Sequence, residues 1–273
     1  ATLYAGGKRL WRTTDHADNW SQVRDSIPSR AKCSVIAVAP SNPNIVWAGY
    51  SDGTVSVGTL SGASWSWTNV GLIDLPAKYV TSIAVNPTFA GEAFVTFSGY
   101  DTTNIYYTTN YGGSWGPRRG SGGFTIPAVQ INTVTYHPLD TDWVYVGTDL
   151  GVMASEDHGQ TWKVLPLYGT TEGPANVAVS QLFWQGSQYL GAATHGRGMY
   201  RTKILPNVYV DINNIFGLQD GTDPHPFVHI QDAINTAGPG ATIVIRPGNY
   251  VQAPLTFSKR GKVIAPTGGV TIH

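Results

Sequence analysis

The first three-quarters of the chain alternates short apolar runs with clusters of polar turn residues. One type of run ends in a proline, at Pro40, Pro87 and Pro138, and reads SVIAVAP, VTSIAVNP and INTVTYHP. A second type follows each of these after a polar loop and reads NIVWAGY, EAFVTFSGY and DWVYVGT. Short runs rich in β-branched and aromatic residues, bounded by Gly, Pro, Asn or Asp, predict β-strands.

A third run (TVSVGT, NIYYTT, GVMASE) and a fourth near a tryptophan (WTNV, TWKVL) complete each unit. The units recur at about 47 residues, and four antiparallel strands repeated at this period predict the blade of a β-propeller. We label the strands of a blade a to d, from the centre outward. Complete blades are predicted at residues 34–70, 79–118 and 129–165.

The two ends of this region supply incomplete blades. Residues 1–23 provide only strands b, c and d, and residues 175–204 provide only strands a, b and c. A propeller closes when one end completes the blade that the other begins, but here the two ends overlap. The sequence therefore predicts about five blades of a propeller with about seven, whose N-terminal blades are missing. It also predicts that the rest of the same longer chain is a partner at both ends.

The repeat stops at residue 204, so residues 1–204 are predicted to form the propeller domain and residues 205–273 a second domain. In the second domain a short amphipathic helix is predicted to end at Gly238. Its apolar positions at helical spacing are Phe227, Ile230, Ala233, Ile234 and Ala237. Short strands separated by Gly and Pro turns follow in ATIVIRPGNY, PLTFSKRGKVIA and GGVTIH.

One eight-residue motif recurs at the predicted c–d turns. SEDHGQTW occupies residues 155–162, TTNYGGSW occupies 108–115, and TTDHADNW occupies 13–20. Because Asn110 replaces the aspartate in one copy, the motif predicts a turn rather than an acid–base site. We expect Ser155 and Asp157 to bond turn amides, Gly159 to adopt a positive φ, and Trp162 to pack between blades.

These motifs resemble the Asp-box (BNR) repeat of the sialidase-like, xyloglucanase-like and sortilin-like propeller superfamily. The resemblance covers residues 1–204 and implies a structural role for the box residues. These are Ser155, Asp157, Gly159, Trp162, Asp15, Trp20, Asn110 and Trp115. In that superfamily the boxes lie on the face opposite the catalytic site. The superfamily contains hydrolases, receptors and assembly factors, so the resemblance alone leaves the activity undecided.

The segment from Val208 resembles the opening of a right-handed parallel β-helix of the pectate-lyase-like class. The resemblance implies a short helix that caps the first coil, with TIVIRPGNY as that coil. Solenoids need about three repeats to bury a core, so the resemblance implies a truncated domain that continues beyond His273.

The predicted b–c turns, on the face opposite the boxes, carry the best candidates for function. Asp52, Asp101 and Asp149 are candidate catalytic residues, because a glycosidase needs two carboxyl groups about 5–10 Å apart. Tight turns before Gly or Thr explain the same aspartates without any catalysis. The sequence THGRG adds His195 and Arg197 to this face as candidate binding residues.

Aromatic residues add a second set of candidates for sugar binding. Trp47, Trp143 and Trp184 fall on or beside strand b, where they either stack on sugars or pack between blades. Tyr50, Tyr100 and Tyr111 are expected to be the exposed rings.

Oxygen-rich side chains in DINNIFGLQDGTDP make Asp211, Asp220 and Asp223 candidate Ca²⁺ ligands. Their spacing does not match an EF-hand, and turn formation explains the same residues. No other metal site or cofactor is predicted.

Composition limits the classes of function. The formal net charge is zero and 12% of residues are charged, which argues against nucleic acid or an anionic membrane as partner. No apolar run approaches the length of about 18 residues that predicts a membrane span. Cys33 is the only cysteine, so no intrachain disulfide can form. The Gly-, Pro-, Trp- and Tyr-rich composition is typical of secreted polysaccharide-handling proteins and favours a bacterial, extracellular or cell-surface location.

Three hypotheses follow for function. The first is a binding or scaffold module of a larger secreted protein, which engages glycans or partner proteins. The second is a glycoside hydrolase of xyloglucanase-like type that uses the b–c aspartates. The third is a polysaccharide lyase or hydrolase whose site lies in the unseen part of the β-helix. The sequence favours the first over an enzyme, because it holds no complete catalytic constellation.

Overall fold

The structure is a computed structural model that describes residues 1–165, 177–215, 217–238, 241–257 and 261–273. The predicted fourth strand TWKVL is described, although the side chains of its last two residues, 164 and 165, are not. The start of the last predicted blade, at residues 175 and 176, lies outside the described residues. No helix among the described residues has the length and apolarity to cross a bilayer.

The described chain is nearly all β and divides into two compact units. Unit 1 comprises Ala1–Ser187 and Gly191–Arg201, and unit 2 comprises Gln188–Leu190 and Thr202–His273.

Among the described residues of unit 1, three antiparallel sheets have four strands each, and within each sheet the strands lie side by side in chain order. A three-stranded sheet precedes them, formed by β1 (Leu3–Gly6), β2 (Leu10–Thr13) and β3 (Ser21–Arg24). The first four-stranded sheet contains β4 (Cys33–Val38), β5 (Ile45–Tyr50), β6 (Val55–Ser61) and β7 (Ser64–Val70).

The second four-stranded sheet contains β8 (Val80–Val85), β9 (Ala93–Phe97), β10 (Ile105–Thr108) and β11 (Gly116–Pro117). A hairpin follows, formed by β12 (Gly120–Ser121) and β13 (Phe124–Thr125). The third contains β14 (Ile131–Tyr136), β15 (Val144–Thr148), β16 (Gly151–Ser155) and β17 (Lys163–Leu165). A last three-stranded sheet contains β18 (Val179–Gln185), β19 (Tyr189–Thr194) and β20 (Met199–Lys203). These strands match the repeats predicted from the sequence.

Burial differs between the strands of a sheet and explains their sequence patterns. The second strands β5, β9 and β15 are buried at every residue, because neighbouring sheets cover both of their faces. Continuous apolar runs are expected for strands buried on both faces. The outer strand β7 instead alternates exposed and partly buried residues, and its sequence SWSWTNV alternates polar and aromatic positions. Its Trp65 and Trp67 rings stack with centroids 5.6 Å apart.

Apolar clusters join each sheet to the next. One cluster combines residues of β5 and β6 with residues of β8 and β9, including Trp47, Val80 and Phe97. Another combines β9 and β10 with β14 to β16, including Phe94 and Val146. At the first of these junctions a glycine in the second strand allows close approach. A Cβ atom on Gly49 would lie 2.5 Å from a Val80 methyl carbon, too close for any real contact.

Unit 2 contains parallel strands and one short helix among its described residues. The first parallel sheet has the order β21 (Asn207–Val210), β22 (Thr242–Ile245) and β24 (Lys262–Ile264). The second pairs β23 (Gly248–Tyr250) with β25 (Val270–Ile272). Helix α1 (Ile230–Thr236) packs on β21 and β22. It buries three of the predicted apolar positions, Ile230, Ala233 and Ile234, whereas Phe227 lies before the helix and bridges to Val210.

Candidate functional site

Three turns repeat one hydrogen-bond pattern, and we call them the clasp turns: residues 13–20 between β2 and β3, 108–115 between β10 and β11, and 155–162 between β16 and β17. In the last of them the Ser155 hydroxyl donates to Asp157 Oδ1 at 2.8 Å and accepts from the Gly159 amide at 2.7 Å. Asp157 then accepts from the Thr161 amide at 2.8 Å and from the Thr161 hydroxyl at 2.6 Å. Both carboxylate oxygens are therefore committed to the turn.

The other two clasp turns have the same bonds with different residues. Thr108 takes the place of Ser155, and Asn110 accepts from the Ser114 amide at 3.0 Å through Oδ1. Asn110 Nδ2 donates to the Ser114 hydroxyl at 3.0 Å. At the equivalent position the Asp157 carboxylate accepts from the Thr161 hydroxyl instead. In the first turn Asp15 accepts from the Asn19 amide at 3.1 Å, and Ala17 has φ 79° where the other turns have glycine.

Hydrogen bonds within the turns lower the pKa of both aspartates. Bonds from Thr13 and Asn19 lower the pKa of Asp15 to about 2. Partial burial acts to raise the pKa of Asp157, but bonds from Thr161 and Ser155 outweigh it and lower the pKa. A general acid needs the opposite shift, so neither Asp15 nor Asp157 suits that role in a glycosidase.

The tryptophans that close the clasp turns differ in burial. Trp162 is 2% exposed and Trp115 is 8% exposed, whereas Trp20 is 39% exposed. The Trp115 ring meets Trp47 of the preceding sheet edge to face, with centroids 5.9 Å apart. Two of the three tryptophans are thus packed between sheets.

A second set of turns lies at the other ends of these strands, and we call them the b–c turns. They are residues 7–9 between β1 and β2, 51–54 between β5 and β6, 98–104 between β9 and β10, 149–150 between β15 and β16, and 195–198 between β19 and β20. In four sheets the residue after the second strand donates its amide to the carbonyl of the residue before the first strand. These bonds are Ser51 to Lys32, Ser98 to Tyr79, Asp149 to Gln130, and His195 to Ala178. The shared bond places the b–c turns at equivalent positions in their sheets.

The three candidate aspartates have different partners. Asp52 accepts from the Ser29 hydroxyl at 2.5 Å and from the Thr54 amide at 3.0 Å. Burial acts to raise the pKa of Asp52, but these hydrogen bonds outweigh it and lower the pKa. Asp101 pairs with Lys78. Asp52 is therefore held by its own turn and by the loop that carries Ser29.

Asp149 lies at the centre of a small polar group on the b–c turns. Its Oδ2 accepts from the Tyr100 hydroxyl at 2.8 Å, and its Oδ1 accepts from Asn132 Nδ2 at 3.0 Å. The hydrogen bond to Asp149 raises the pKa of Tyr100, whose side chain is 69% exposed. Asn132 also donates to the Val179 carbonyl at 3.1 Å. An exposed ring, a carboxylate and an amide thus meet across two neighbouring sheets. The sequence indicated Tyr100 and Asp149 separately, but it did not indicate Asn132.

His195 and Arg197 lie in the last b–c turn, and both are exposed. Neither forms an ion pair with any described residue. Gly196 and Gly198 have positive φ angles that shape the turn, and Thr194 donates its hydroxyl to the Gly198 carbonyl at 2.7 Å. The turn therefore exposes one imidazole and one guanidinium group to solvent.

Two of the three tryptophan candidates for sugar binding are buried inside the protein. Trp47 is fully buried, and its Nε1 donates to the Ala90 carbonyl at 3.2 Å. Trp143 is 8% exposed, and Trp184, half-buried, donates to the Tyr136 carbonyl at 2.7 Å. For Trp47 and Trp143, packing leaves no ring face open to a sugar.

The expected exposure of the tyrosines is wrong for one of the three. Tyr100 and Tyr111 are exposed, but Tyr50 is 1% exposed. Arg24 donates to the Tyr50 hydroxyl at 2.9 Å, and burial raises the pKa of Tyr50 to about 12. A buried hydroxyl needs a partner, and Arg24 supplies it from another sheet.

Two of the three candidate Ca²⁺ ligands of unit 2 pair with an arginine. Arg246 donates to Asp211 at 3.1 Å and to Asp223 at 2.7 Å. Asp220 accepts from the Thr222 hydroxyl at 2.6 Å. No group of three or more His, Cys, Asp or Glu residues in the described part of the chain has an arrangement that could hold a metal ion. Asp211 and Asp223 are therefore already paired with Arg246.

No protein-family model matches the chain, and no curated protein matches its sequence. Solved structures do match its fold. An ancestral GH74 enzyme is 17% identical with a TM-score of 0.53, and the match covers 71% of this chain and 26% of that one. The GH74 xyloglucanase from Xanthomonas campestris is 14% identical with a TM-score of 0.55, and the match covers 74% and 34%.

At such low sequence identity, these similarities are evidence of a shared fold alone. The matched structures are β-propellers, and the repeated antiparallel sheets of this chain are consistent with a propeller-like fold. The chain spans 26% and 34% of the lengths of these two proteins.

Proposed function

We propose that the chain is a glycan-binding module of a larger secreted protein and that its ligand binds on the b–c turns. The proposal also includes two structural features that go beyond the propeller-like fold. The clasp turns are Asp-box repeats, supported by one hydrogen-bond pattern in three copies. Unit 2 is the start of a parallel β-helix, supported by the aligned register of Val208, Ile243 and Val263 in its first sheet.

The group formed by the exposed Tyr100 and the half-buried Asp149 and Asn132 carries the proposal. Sugars present apolar ring faces and hydroxyl edges, so their binding sites combine an exposed aromatic ring with fixed polar groups. The Tyr100 ring is exposed while its hydroxyl is fixed by Asp149. Asn132 in turn holds Asp149, so neither polar group needs to reorganise when a ligand binds.

Binding is favoured over hydrolysis by the state of the aspartates. A glycosidase keeps one carboxyl group protonated through a raised pKa, but the pKa of Asp52 is lowered. Asp101 is paired with a lysine, and Asp149 accepts two hydrogen bonds. Hydrolysis remains the second candidate, because the structures matched in fold include a protein described as a xyloglucanase.

Calorimetric titration with xyloglucan oligosaccharides and other neutral β-glucan oligosaccharides tests the proposal. Tyr100→Ala should weaken binding about tenfold or more, because it removes both the stacking ring and the hydrogen bond to Asp149. Tyr111→Asn is the matched control. Tyr111 is also exposed, but it lies in a clasp turn at φ 58°, which asparagine tolerates.

Two results would contradict the binding proposal. One is the absence of binding to any oligosaccharide in a broad glycan array, and the other is equal weakening by Tyr100→Ala and Tyr111→Asn. A reducing-sugar assay on the same oligosaccharides separates the candidates. Hydrolysis that Asp149→Asn abolishes would replace the binding function with the enzymatic one.

A further inference from the structure

A cleft of about 350 Å³ lies at the first b–c turn and shares no lining residue with the Tyr100 group. Four side chains line it: Lys8, Arg9, Ser26 and Arg30. Its volume falls within the range of about 300–1,000 Å³ that small-molecule sites occupy. Three of the four side chains are cations, in a chain whose formal net charge is zero. Positive charge is therefore concentrated at this cleft.

Among the described residues, only one of the three cations has an ionic partner. Arg9 Nε donates to Asp25 Oδ1 at 2.9 Å, and this bond lowers the pKa of Asp25. Neither Lys8 nor Arg30 forms an ion pair with a described residue. Because Asp25 binds Arg9 through Nε, the terminal guanidinium nitrogens of Arg9 are left for another acceptor. The cleft thus carries two uncompensated positive charges and a serine hydroxyl.

The loop that carries Arg30 is fixed in an uncommon conformation. Arg30 has φ 57°, and it is the one non-glycine residue at positive φ outside the clasp turns in the described chain. Its amide donates to the carbonyl of Ile27 at 2.9 Å, and the Ile27 side chain is buried. Ser29 donates to Asp52 at 2.5 Å, which ties the loop to the next b–c turn. Such conformations persist where the surroundings fix them, and they occur often at ligand sites.

We propose that this cleft binds the anionic group of an acidic saccharide, either a uronate carboxylate or a sulfate ester. This inference rests on the proposed glycan-binding function and names the class of glycan. Guanidinium and ammonium groups make charge-assisted hydrogen bonds to such oxyanions, and the Ser26 hydroxyl adds a neutral donor. Nucleic acid is disfavoured as the ligand, because binding a phosphate backbone requires an extended basic surface, whereas three cations line this cleft.

Calorimetry with three probes tests the inference: an oligogalacturonide, a sulfated oligosaccharide of similar length, and a neutral xyloglucan oligosaccharide. The double variant Lys8→Gln/Arg30→Asn removes both unpaired charges, and asparagine tolerates the positive φ at position 30. We expect about tenfold weaker binding of the preferred acidic probe and unchanged binding of the neutral one. Lys262→Gln, at an exposed lysine of unit 2, is the matched control and should change neither.

The outcomes separate this inference from the function on which it rests. Neutral binding without any preference for an acidic probe would overturn the inference and leave the glycan-binding function standing. If the unmodified protein bound none of the three probes, both the inference and the proposed glycan-binding function would be overturned. Equal affinity for a poly-glutamate peptide, equally sensitive to the double variant, would overturn the assignment to saccharides. The acidic probe whose affinity the double variant lowers identifies the bound anion as a carboxylate or a sulfate.

Discussion

The indole Nε1 of Trp162 donates a hydrogen bond of 2.8 Å to the main-chain carbonyl of Arg118, which directly follows β11 of the preceding sheet. The same nitrogen also lies 3.1 Å from the Gly159 carbonyl within its own clasp turn. One side chain therefore closes a turn and joins two sheets at the same time.

Replacing Trp162 should reveal this double role. Trp162→Ala is expected to lower the free energy of unfolding by about 3–5 kcal/mol, because it leaves a cavity between sheets and an unpaired carbonyl. Trp20→Ala removes the same side chain from a clasp turn where it is 39% exposed. Its effect should be clearly smaller. Urea unfolding followed by circular dichroism gives the comparison, and equal losses in both variants would contradict the packing role of Trp162.

The pKa of Asp157 predicts how the clasp turn responds to pH. Its pKa is lowered in the folded protein, so its contribution to stability is present above the unfolded value of about 3.9 and is lost as pH falls through the folded pKa. The comparison of unfolding midpoints at pH 7 and in the acid range below about pH 4 measures this contribution. Asp15, with a pKa of about 2, should remain ionised below the pH at which an unperturbed aspartate takes up a proton, and a carboxyl NMR titration measures this.

Asp157→Asn supplies the control for that titration. Asn110 already fills the equivalent position and donates to Ser114, so an asparagine at 157 can donate to the Thr161 hydroxyl in the same way. The variant should retain stability at pH 7 within about 0.5 kcal/mol and lose the acid dependence of this site. Asp157→Ala removes the acceptor and should cost about 1–2 kcal/mol. If asparagine were as damaging as alanine, charge rather than hydrogen bonding would hold the turn.

Close packing of neighbouring sheets makes Gly49 a sensitive position. A methyl group there would lie 2.5 Å from Val80 Cγ1 and 2.7 Å from Val35 Cγ1, so Gly49→Ala should destabilise the protein by about 1–3 kcal/mol. Gly116→Ala is the matched control, because nothing beyond the adjacent residues lies within 4 Å of the position that a methyl group would take on that strand glycine. Thermal unfolding of both variants tests the difference, and similar midpoints would contradict the close-approach argument.

Local patterns were sufficient to predict the sheets, because strand periodicity and turn residues are properties of adjacent positions. The clasp turns could be predicted for the same reason, since the bonds within them join residues two to four positions apart. Exposure was harder to predict. The burial of Tyr50 depends on Arg24, which lies in a different sheet, and nothing near Tyr50 in the sequence indicates that partner.

The contacts of the candidate site were also beyond prediction from local sequence patterns. Asp149 could be placed on a b–c turn from the sequence, but its bonds to Tyr100 and Asn132 join it to residues 49 and 17 positions away. The cleft of Lys8 and Arg30 also brings together residues from a turn and a separate loop. Sequence reasoning identified the face, whereas the groups that meet on it depend on how successive sheets approach each other.

Because each four-stranded sheet packs against the sheets before and after it, its stability is shared pairwise along the chain. Folding energy in such an array divides into terms for single sheets and terms for the junctions between neighbours. Opening of one sheet should therefore weaken the junctions with its immediate neighbours first, as at the cluster that joins Leu10 and Val23 to Ala48 and Tyr50. The backbone amides of β9, buried between two junctions, would then be among the last to exchange with solvent.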